Sequence, residues 1–307
     1  MRALVTGVSG FVGHHLVAHL RAMGDDVEGC DRADGSVDIA DLQSVKTVVD
    51  RVRPEVVYHL AGWSDVGASW AAPVEVFRAN AEGTLNVLLA CAEAGVERVL
   101  AVSSADVYGI VSEAELPIDE DAPLRPVTPY AASKVAADYL ALQAWLGVGL
   151  PVLRARAFNH LGPGQLPRFV APALADRIAR NELDGGTVVP IGNLSARRDF
   201  TDVRDVVRAY RLLIERGDPG EAYNVCSGRA VSVHELAEAL LQMARQPMEL
   251  QRDPELERPV DVPVLCGDYS RLRATTGWEP EIALEQTLAD LLDDMRERVR
   301  PRPIGAS

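Results

Sequence analysis

The chain has 307 residues, a hydrophobic content of 48%, a formal net charge of −14 and a pI near 4.9. A charge this negative argues against nucleic-acid binding as the main role, although a local group of arginines could still hold an anionic ligand. No apolar run reaches the roughly 18–20 residues of a membrane span, and the chain enters a strand pattern without a leader, so we expect no membrane contact. The four cysteines are far apart and indicate buried thiols in a reducing cytoplasm, so we expect neither disulfides nor a metal site.

The first predicted strand, over residues 2–6, runs into a glycine-rich turn and then into a helix that reaches about residue 23. This order is the context that a dinucleotide-binding fingerprint requires. Gly7 permits the tight turn, Gly10 lets a pyrophosphate approach the backbone, and Gly13 lets the helix pack on the strand. The helix N-terminus then offers N–H groups and its positive dipole end to the phosphates. The other turn residues that we assign to the cofactor are Ser9, Phe11 and Val12.

The second predicted strand ends in Asp31, 18 residues beyond Gly13. A carboxylate there accepts a hydrogen bond from a ribose 2′-hydroxyl and repels a 2′-phosphate, which favours NAD(H). Arg32 follows at once and could instead bind that phosphate, so NADP(H) stays open as the alternative cofactor. Asp38 and Ile39 lie in the next loop, where they could meet the adenine edge, and a plain loop aspartate is the alternative reading.

A helix over residues 41–51 leads to a third predicted strand over 55–62, whose end should run under the cofactor. The loop over 63–69 follows at the edge where open α/β sheets bind ligands. A long helix is predicted from Pro73 to about Gly95, and its Ala- and Leu-rich sequence could pack against a partner chain. The residues at this strand end that we assign to the cofactor are Leu60, Ala61 and Gly62.

A fourth strand is predicted over residues 99–104 and ends in a pair of serines. The Ser104 hydroxyl could donate to a substrate oxygen, and the alternative is that it caps the following turn. The segment over 110–127 contains three prolines and many acidic residues, which predicts a surface loop.

Tyr130 and Lys134 lie four residues apart on a predicted helix that begins at Pro129, which places both on one face. We expect the ammonium to lower the pKa of the phenol from its free value of about 10, making the pair a general acid and base for a carbonyl or carbinol oxygen. Only two lysines, Lys46 and Lys134, occur among the 31 Lys and Arg residues. A small ammonium can approach both a phenolate and a ribose, unlike a bulky planar guanidinium. The alternative is an ordinary Tyr and Lys on a helix face.

A fifth strand is predicted over residues 151–156, followed by a loop rich in Gly and Pro. Five strand–helix repeats over about 160 residues predict an α/β fold with a doubly wound parallel Rossmann sheet. Beyond Gly164 the alternation fails, which indicates a smaller mixed α/β substrate domain over the cofactor crevice. We therefore predict domains over 1–161, with a returning segment near 200–228, and over 162–307. The later helices are expected near residues 167–181, 202–216, 232–244 and 284–298.

Two basic segments recur in the second half, Arg197-Arg198-Asp199 and Arg258-Pro-Val-Asp261. In an acidic protein, arginines in loops that form a cleft suit a ligand diphosphate, which they can bind through bidentate contacts. The alternative is a set of salt-bridged arginines on the surface.

Gly7-x-x-Gly10-x-x-Gly13, Ser104 and Tyr130-x-x-x-Lys134 together resemble the extended short-chain dehydrogenase/reductases, the NAD-dependent epimerase/dehydratase family that acts on nucleotide sugars. The resemblance covers nearly the whole chain. Four further matching motifs are His59-Leu-Ala-Gly62, Asn80-Ala-Glu-Gly-Thr-Leu-Asn86, Ser103-Ser-Ala-Asp-Val-Tyr-Gly109 and Arg198-Asp-Phe-Thr-Asp202. The segments that begin at Arg156, Gly192 and Arg258 are most similar to the subfamily of GDP-4-keto-6-deoxy-mannose reductases.

The resemblance implies a catalytic triad of Ser104, Tyr130 and Lys134, the last two of which also contact the cofactor. It further implies that Arg198 and Arg258 clamp a diphosphate. Other substrate contacts that it implies are Ser64, Val66, Asn159, Phe169, Val170 and Asp261. Further cofactor contacts that it implies are Asn80, Val102 and Phe158.

Related dehydratases carry an acid pair or a Ser-Glu pair after the serine of the triad, and the Glu takes the proton at C5 of the sugar. Here those positions are Ala105 and Asp106; Asp is one methylene shorter, and its expected partner is missing. The pattern favours an enzyme that reduces the C4 keto group of a GDP-linked 4-keto-6-deoxy-hexose, with Asp106 kept as a catalytic candidate.

Three other functions stay open on the sequence. A GDP-mannose 4,6-dehydratase and a nucleotide-sugar 4-epimerase are the enzymatic alternatives, and an NAD(P)-sensing regulatory protein is the non-enzymatic one. Members of the family commonly dimerise through the helix near 80–95 and the helix that carries Tyr130, so we expect a homodimer or a tetramer.

Overall fold

Short apolar strands alternate with helices along the chain, and a computed structural model describes them over residues 1–256 and 262–300. Twelve strands and ten α-helices are found within these residues. The strands are β1 (Arg2–Thr6), β2 (Asp26–Cys30), β3 (Val56–His59), β4 (Arg98–Ser104), β5 (Val152–Ala157), β6 (Asn159–Leu161), β7 (Val188–Ile191), β8 (Arg197–Asp202), β9 (Ala222–Val225), β10 (Ala230–Ser232), β11 (Glu249–Arg252) and β12 (Val264–Leu265). The helices are α1 (Phe11–Ala22), α2 (Leu42–Val52), α3 (Pro73–Phe77), α4 (Gly83–Ala94), α5 (Pro129–Val148), α6 (Val170–Asp184), α7 (Val203–Arg216), α8 (Val233–Gln242), α9 (Ser270–Thr276) and α10 (Leu284–Val299).

The first sheet has six strands in the order β2-β1-β3-β4-β5-β9, and every pairing in it is parallel. All four residues of β3 and all six of β5 are buried, as expected for strands covered by helices on both faces. The predicted doubly wound parallel sheet is confirmed. The chain passes from β1 to β2 on one side and then returns to β3 on the other, so the strand order reverses between β1 and β3. Ligands of such sheets bind at the carboxyl ends of the strands at this point.

Two apolar layers hold the helices on the sheet. On one face, Leu16 of α1 and Leu213 of α7 pack in a cluster with Tyr58, Leu100 and other strand residues. On the other face, side chains of α2, α4 and α5 pack against the opposite sides of the same strands. Helix α7 and strand β9 thus belong to the first sheet although they lie late in the chain, within the segment near 200–228.

The second half of the chain builds a smaller mixed structure beside that sheet. Strand β8 pairs antiparallel with β10 and parallel with β12 and β6, while β7 and β11 form a separate parallel pair. Apolar residues of α6, α8 and α10 form its core. Among the residues that the structure describes, no helix combines the length and apolar character needed to cross a membrane.

The long helix predicted from Pro73 to Gly95 is not continuous. Helix α3 passes into one π-helical turn, Arg78–Glu82, before α4 begins. Such wide turns inside helices are rare and frequently mark functional sites. Asn80 lies in this turn, where its Oδ1 accepts from the Trp63 N–H at 2.7 Å and its Nδ2 donates to Ser133 Oγ at 2.8 Å. The wide turn therefore supports the loop that follows β3.

Candidate active site

A cavity of about 710 Å³ opens at the carboxyl edge of the first sheet, and residues of both halves of the chain line it. This volume is in the range of small-molecule and cofactor sites. The predicted residues on its wall are Gly7, Gly10, Phe11, Val12, Gly13, Asp31, Arg32, Asp38, Ile39, Leu60, Ala61, Gly62, Ser64, Val66, Val102, Ser104, Asp106, Tyr130, Lys134, Phe158, Asn159, Phe169, Val170 and Arg198.

Two of the predicted residues that the structure describes, Ser9 and Asn80, do not line that wall. Ser9 is exposed on the turn and donates its N–H to Asp31, whereas Asn80 is buried behind Gly62 and Trp63 and contacts them instead. Both support cavity residues from outside. Arg258 and Asp261 lie outside the described residues.

The glycine-rich turn has the close contacts that its sequence predicts. Gly7 has a positive φ of +80°, and a Cβ on it would lie 2.7 Å from the Ala61 nitrogen. A Cβ on Gly13 would overlap the Gly7 carbonyl oxygen and lie 2.7 Å from Val8 Cα. Gly10 is the N-cap of α1, and its cap position makes no side-chain hydrogen bond. The first turn of α1 therefore presents its N–H groups to the cavity in the manner that suits a pyrophosphate.

Asp31 and Arg32 both reach the cavity wall at the end of β2. The Asp31 carboxylate accepts from the Ser9 N–H and from the Ala33 N–H, each at 3.0 Å. These two bonds hold it beside the glycine turn, where a ribose hydroxyl would lie. Arg32 is exposed beside it, so the carboxylate and the guanidinium keep both cofactor alternatives open in the structure.

Ser104, Tyr130 and Lys134 meet on the cavity wall, each at most 9% exposed. Thr128 caps α5 by accepting from the Ala131 N–H at 3.0 Å, and Pro129 opens the helix, so Tyr130 lies in its first turn. Ser104 ends β4; its hydroxyl accepts from the Asp106 N–H at 3.2 Å and donates to Asp106 Oδ2 at 3.3 Å. The predicted cap is thus present.

The prediction that Lys134 makes the Tyr130 phenol acidic is wrong. Burial raises the pKa of Tyr130 well above its ordinary value, the Asp106 carboxylate raises it further, and only the hydrogen bond with Ser104 acts in the opposite direction. The Lys134 ammonium donates to the Val102 carbonyl at 3.0 Å, and burial lowers its own pKa to about 8. Tyr130 is therefore a neutral phenol, which is the form that a proton donor needs.

Polar and apolar side chains from the second half form the opposite wall. Asn159 is exposed on β6, and Phe169 and Val170 stand at the start of α6. Arg198 donates through Nη1 to the Val262 carbonyl at 2.7 Å, which fixes its guanidinium on the wall. Ser64 reaches the wall from the loop after β3.

Sequence reasoning missed Arg168. Its Nη2 donates to Ser64 Oγ at 3.3 Å, and its guanidinium carbon lies 5.2 Å from the centroid of the Phe169 ring. The predicted helix began at 167, but α6 begins at Val170, so Arg168 belongs to the loop at the cavity and not to a helix face. The sequence did offer one signal, because Arg168 is a basic residue close to the loop rich in Gly and Pro that follows the fifth predicted strand.

Sequence reasoning also missed a buried charge cluster below the triad. Asp138 lies one turn after Lys134 on α5 and accepts from Arg154 Nη1 at 2.7 Å and from Arg156 Nε at 3.0 Å. Arg156 also donates to Tyr108 Oη at 3.1 Å. This cluster ties the helix that carries Tyr130 and Lys134 to β5. The sequence signalled this cluster by placing Arg154 and Arg156 two residues apart, and hence on one face, in a strand that is otherwise apolar.

Three buried polar atoms on the cavity wall find no hydrogen-bond partner within the described parts of the chain. They are Ser103 Oγ, Gln165 Oε1 and Tyr210 Oη. Buried polar groups are nearly always hydrogen-bonded, so these atoms suit a polar ligand in the cavity. The glycine turn, Asp31 and these unpaired atoms together fit a dinucleotide. In the same described residues, no group of three His, Cys, Asp or Glu side chains is arranged to hold a metal ion.

Comparison with known proteins identifies the family. A family model described as GDP-mannose 4,6 dehydratase matches residues 35–291. The chain is 40% identical over 301 residues to GDP-6-deoxy-D-mannose reductase of Pseudomonas aeruginosa, covering 97% of this chain and 98% of that protein. It is 30% identical over 280 residues to GDP-6-deoxy-D-talose 4-dehydrogenase of Aggregatibacter actinomycetemcomitans, covering 90% and 92%.

Solved structures agree with this assignment. RMD from Pseudomonas aeruginosa complexed with NADPH matches with a TM-score of 0.89 and 38% identity, over 97% of this chain and 100% of that one. UDP-glucose 4-epimerase of Thermus thermophilus in complex with NAD matches with a TM-score of 0.88 and 31% identity, over 97% and 100%. The chain belongs to the GDP-mannose 4,6-dehydratase family, and it is an extended short-chain dehydrogenase/reductase enzyme.

Proposed function

We propose that the enzyme reduces the C4 keto group of a GDP-linked 4-keto-6-deoxy-hexose with NAD(P)H. One observation carries the proposal: Ser104, Tyr130 and Lys134 meet on one cavity wall, and the two positions after Ser104 hold Ala105 and Asp106. Reduction needs one proton donor, which the neutral Tyr130 phenol supplies. The name of the reductase relative from Pseudomonas aeruginosa supports the same reaction.

Each residue of the triad has a separate role in the proposed reduction. The nicotinamide, when bound, supplies the hydride. Tyr130 donates its proton to the C4 oxygen as negative charge develops there, and Ser104 donates a hydrogen bond to the same oxygen. Lys134, whose Nζ lies 3.0 Å from the Val102 carbonyl, binds the nicotinamide ribose hydroxyls.

The dinucleotide lies along the carboxyl edge of the first sheet in this proposal. The first turn of α1 holds the pyrophosphate, Asp31 holds the adenosine ribose, and Asp38 and Ile39 flank the adenine. We retain NAD(H) as the preferred cofactor because Asp31 is fixed beside the turn by two N–H groups at 3.0 Å. NADP(H) is the alternative because Arg32 is exposed next to it, and the structural neighbour RMD is complexed with NADPH.

The nucleotide sugar enters from the other side of the cavity, between the first sheet and the domain that we assign to residues 162–307. Arg198, together with Arg258, binds the diphosphate through bidentate contacts. Asn159 and Ser64 contact the sugar, and Arg168 adds a cation beside Ser64. Val66, Phe169, Val170 and Asp261 complete the assigned substrate contacts.

A 4,6-dehydratase is the second candidate because Asp106 is a carboxylate on the cavity wall, hydrogen-bonded to Ser104 at 3.3 Å. That reaction removes a proton at C5 and recycles the cofactor. A 4-epimerase also recycles its cofactor and would purify with it bound.

The experiment follows NADH and NADPH absorbance during incubation with GDP-4-keto-6-deoxy-mannose. A reductase oxidises one molecule of NADH or NADPH for each molecule of the keto sugar that it reduces. A parallel incubation with GDP-mannose and catalytic NAD tests the dehydratase, which would release a 4-keto-6-deoxy product without net cofactor use. Absence of cofactor consumption in the first incubation would reject the reductase.

We further propose that the enzyme is a cytoplasmic homodimer. Large apolar side chains are exposed along α4 and α5, including Leu89 at 46%, Tyr139 at 55% and Leu146 at 72%. Two copies of this face would form a four-helix interface. The free cysteines suit a reducing compartment. Sedimentation of Tyr139→Glu should give half the mass of the wild type, and an unchanged mass would place the interface elsewhere.

A further inference from the structure

Arg78 is a cation on the cavity wall to which the proposed function assigns no role. Its side chain is exposed, and within the described parts of the chain its guanidinium makes neither a hydrogen bond nor an ion pair. Two other arginines on this wall differ, since Arg168 donates to Ser64 Oγ and Arg198 donates to the Val262 carbonyl. In a chain with a formal net charge of −14, an unpaired guanidinium at a cavity is available to an anionic ligand.

Arg78 reaches the wall because of its position on a helix face. Glu75, Arg78 and Ala79 all line the cavity, and spacings of three and four residues place them on one face. Arg78 is also the first residue of the π-helical turn that ends at Glu82. Glu75 lies one turn earlier, but no ion pair joins it to Arg78 in the part of the chain that the structure describes. The charge of Arg78 is therefore not taken up by its neighbour on the helix.

Two contacts of the π-helical turn locate it along the cavity. Gly83 follows the turn directly, and a Cβ on it would lie 2.7 Å from Ile39 Cδ1. Within the turn is Asn80, and a Cβ on Gly62 would lie 2.5 Å from its Oδ1 and 3.9 Å from Lys134 Nζ. Ile39 is assigned to the adenine and Lys134 to the nicotinamide ribose. The turn therefore lies beside the part of the dinucleotide between these two groups, whose centre is the pyrophosphate.

The glycine-rich turn approaches the same strand end. A Cβ on Gly7 would lie 2.7 Å from the Ala61 nitrogen, so this turn packs against the residue before Gly62. The first turn of α1 that follows contains no basic side chain, so it offers a pyrophosphate only backbone N–H groups. A helix N-terminus supplies about half a positive charge, which is less than the negative charge of a pyrophosphate. A cation on the neighbouring π-helical turn would supply more of the balance.

We propose that the Arg78 guanidinium binds the pyrophosphate of the dinucleotide together with the N–H groups of α1. The fork of N–H groups on a guanidinium matches phosphate oxygens, and the resulting hydrogen bonds are charge-assisted. Arg78 holds the cofactor and takes no part in hydride or proton transfer. The inference rests on the proposed function, because it needs a dinucleotide in this cavity.

Three variants isolate the charge of Arg78. Arg78→Met removes the charge and keeps much of the aliphatic stem, whereas Arg78→Lys keeps a cation without the fork. Arg125→Met is the matched control, because Arg125 is also exposed but does not line the cavity. All three should fold, since each replaces an exposed side chain, and urea unfolding checks this.

The test measures the binding of four ligands. NADH and NADPH are followed by nicotinamide fluorescence, and ADP-ribose and GDP are titrated by calorimetry. Arg78→Met should weaken NADH, NADPH and ADP-ribose alike by about tenfold, because all three carry the same adenosine diphosphate unit. Arg78→Lys should lose less. The dissociation constant of GDP should change less than about twofold, and Arg125→Met should change none of the four.

The four ligands also separate the other anions that Arg78 could meet. A loss confined to NADPH would assign Arg78 to the 2′-phosphate, and a loss of GDP affinity as large as that of ADP-ribose would assign it to the nucleotide sugar. Either result would overturn the inference. Wild-type affinities in Arg78→Met, or an equal loss in Arg125→Met, would overturn it as well.

Salt provides a second measurement that a merely structural role would not change. Raising the NaCl concentration from about 0.05 M to about 0.5 M should weaken NADPH binding more in wild type than in Arg78→Met, because screening acts on the pair of charges. Parallel salt dependence in the two proteins would also overturn the inference. If wild type binds neither NADH nor NADPH, the proposed function fails with it; if wild type binds either and only the Arg78 effect is missing, the proposed function stands.

Discussion

Lys134 carries a charge where water hardly reaches it. The side chain is 8% exposed, and one hydrogen bond to the Val102 carbonyl replaces part of its hydration. Burial therefore lowers its pKa to about 8. A cation held this way destabilises the fold at neutral pH, and such perturbed groups concentrate at functional sites.

Lys134→Met should be more stable than wild type near neutral pH, because the buried charge is lost while the aliphatic stem is kept. The pKa of Lys134 is about 8 in the folded state against 10.5 for an unperturbed lysine, so over that window the unfolded chain binds the extra proton. Stability of the wild type therefore rises with pH across this window, and the advantage of Lys134→Met shrinks.

Urea unfolding of both proteins from neutral pH to about pH 10 measures this difference. The buried tyrosines and cysteines titrate in both proteins, so their effects cancel in the comparison. A stability difference that stays constant with pH would show that Lys134 does not titrate as its burial requires.

Tyr130→Phe should lower turnover about 10²–10⁴-fold, the usual contribution of a positioned general acid. The dissociation constant of NADPH should change less than about twofold, since the proposed mechanism places the Tyr130 hydroxyl on the sugar oxygen. Steady-state rates and fluorescence titration give the two values. Tyr139→Phe is the control, because Tyr139 lies on the same helix but does not line the cavity, and Phe keeps its ring on the proposed dimer face. Turnover within a few-fold of wild type in Tyr130→Phe would remove this residue from the mechanism.

Residues whose position at the cavity follows from local spacing were predictable. Gly7, Gly13, Tyr130 and Lys134 all reach the cavity because a turn or a single helical turn fixes their relation. Arg168 could not be found in this way, because its contact with Ser64 depends on how two distant loops meet. The pKa of Tyr130 depends on burial and on Asp106, and spacing reports neither.

At the scale of elements, helix α5 must present its first turns to the cavity and must also be held in place on the sheet. Its first turns carry Tyr130 and Lys134, and Asp138 then ties it to β5 through Arg154 and Arg156. Asp138 is 1% exposed, and the neighbouring guanidinium groups keep its pKa below the ordinary value despite burial. Movement of this helix would carry Tyr130 away from the sugar oxygen.

Asp138→Ala should lower the free energy of unfolding by about 3–5 kcal/mol, because two buried guanidinium groups lose their carboxylate. Urea unfolding measures the change. The control is Asp176→Ala, which breaks the pair of Asp176 with the exposed Arg180 on α6 and should cost about 1 kcal/mol or less. Equal losses in the two variants would mean that the Asp138 cluster is no stronger than a surface pair.

Element boundaries were predictable where the hydrophobic pattern was regular and failed where tertiary contacts set them. The π-helical turn at Arg78–Glu82 was predicted as plain helix, and the contact of its Asn80 with the Trp63 N–H is a tertiary contact that the hydrophobic pattern does not report. The segment over 110–127 was predicted as a surface loop, yet Ile118 and Glu120 in it are buried. Ile118 bridges Gly267, and Glu120 accepts from the Asn224 N–H at 2.7 Å.

At the scale of the whole molecule, the cavity depends on two parts of the chain that meet only in the fold. Ser64 follows β3 of the first sheet, and Arg168 precedes α6 of the second half, and the two side chains join across the mouth of the cavity at 3.3 Å. The parallel, doubly wound character of the first sheet was predictable from the repeats. The placement of the second half was not, because it rests on long-range packing of α6, α8 and α10.

Arg168→Ala should raise the KM for the nucleotide sugar about tenfold or more, since a hydrogen bond from a charged group is lost, and should leave kcat within about twofold. The dissociation constant of NADPH should not change. Arg180→Ala is the control, because Arg180 is an exposed arginine of α6 that pairs with Asp176 and does not line the cavity. Equal KM values in wild type and Arg168→Ala would exclude a substrate contact.

The most direct measurement follows the hydride itself. GDP-4-keto-6-deoxy-mannose is incubated with NADH and, separately, with NADPH, each carrying deuterium at the transferable C4 position of the nicotinamide, and NMR locates the label in the product of whichever cofactor is consumed. We predict one deuterium at C4 of the sugar for each cofactor oxidised. A sugar product without deuterium at C4, or one that forms while the cofactor stays reduced, would contradict the proposed reduction.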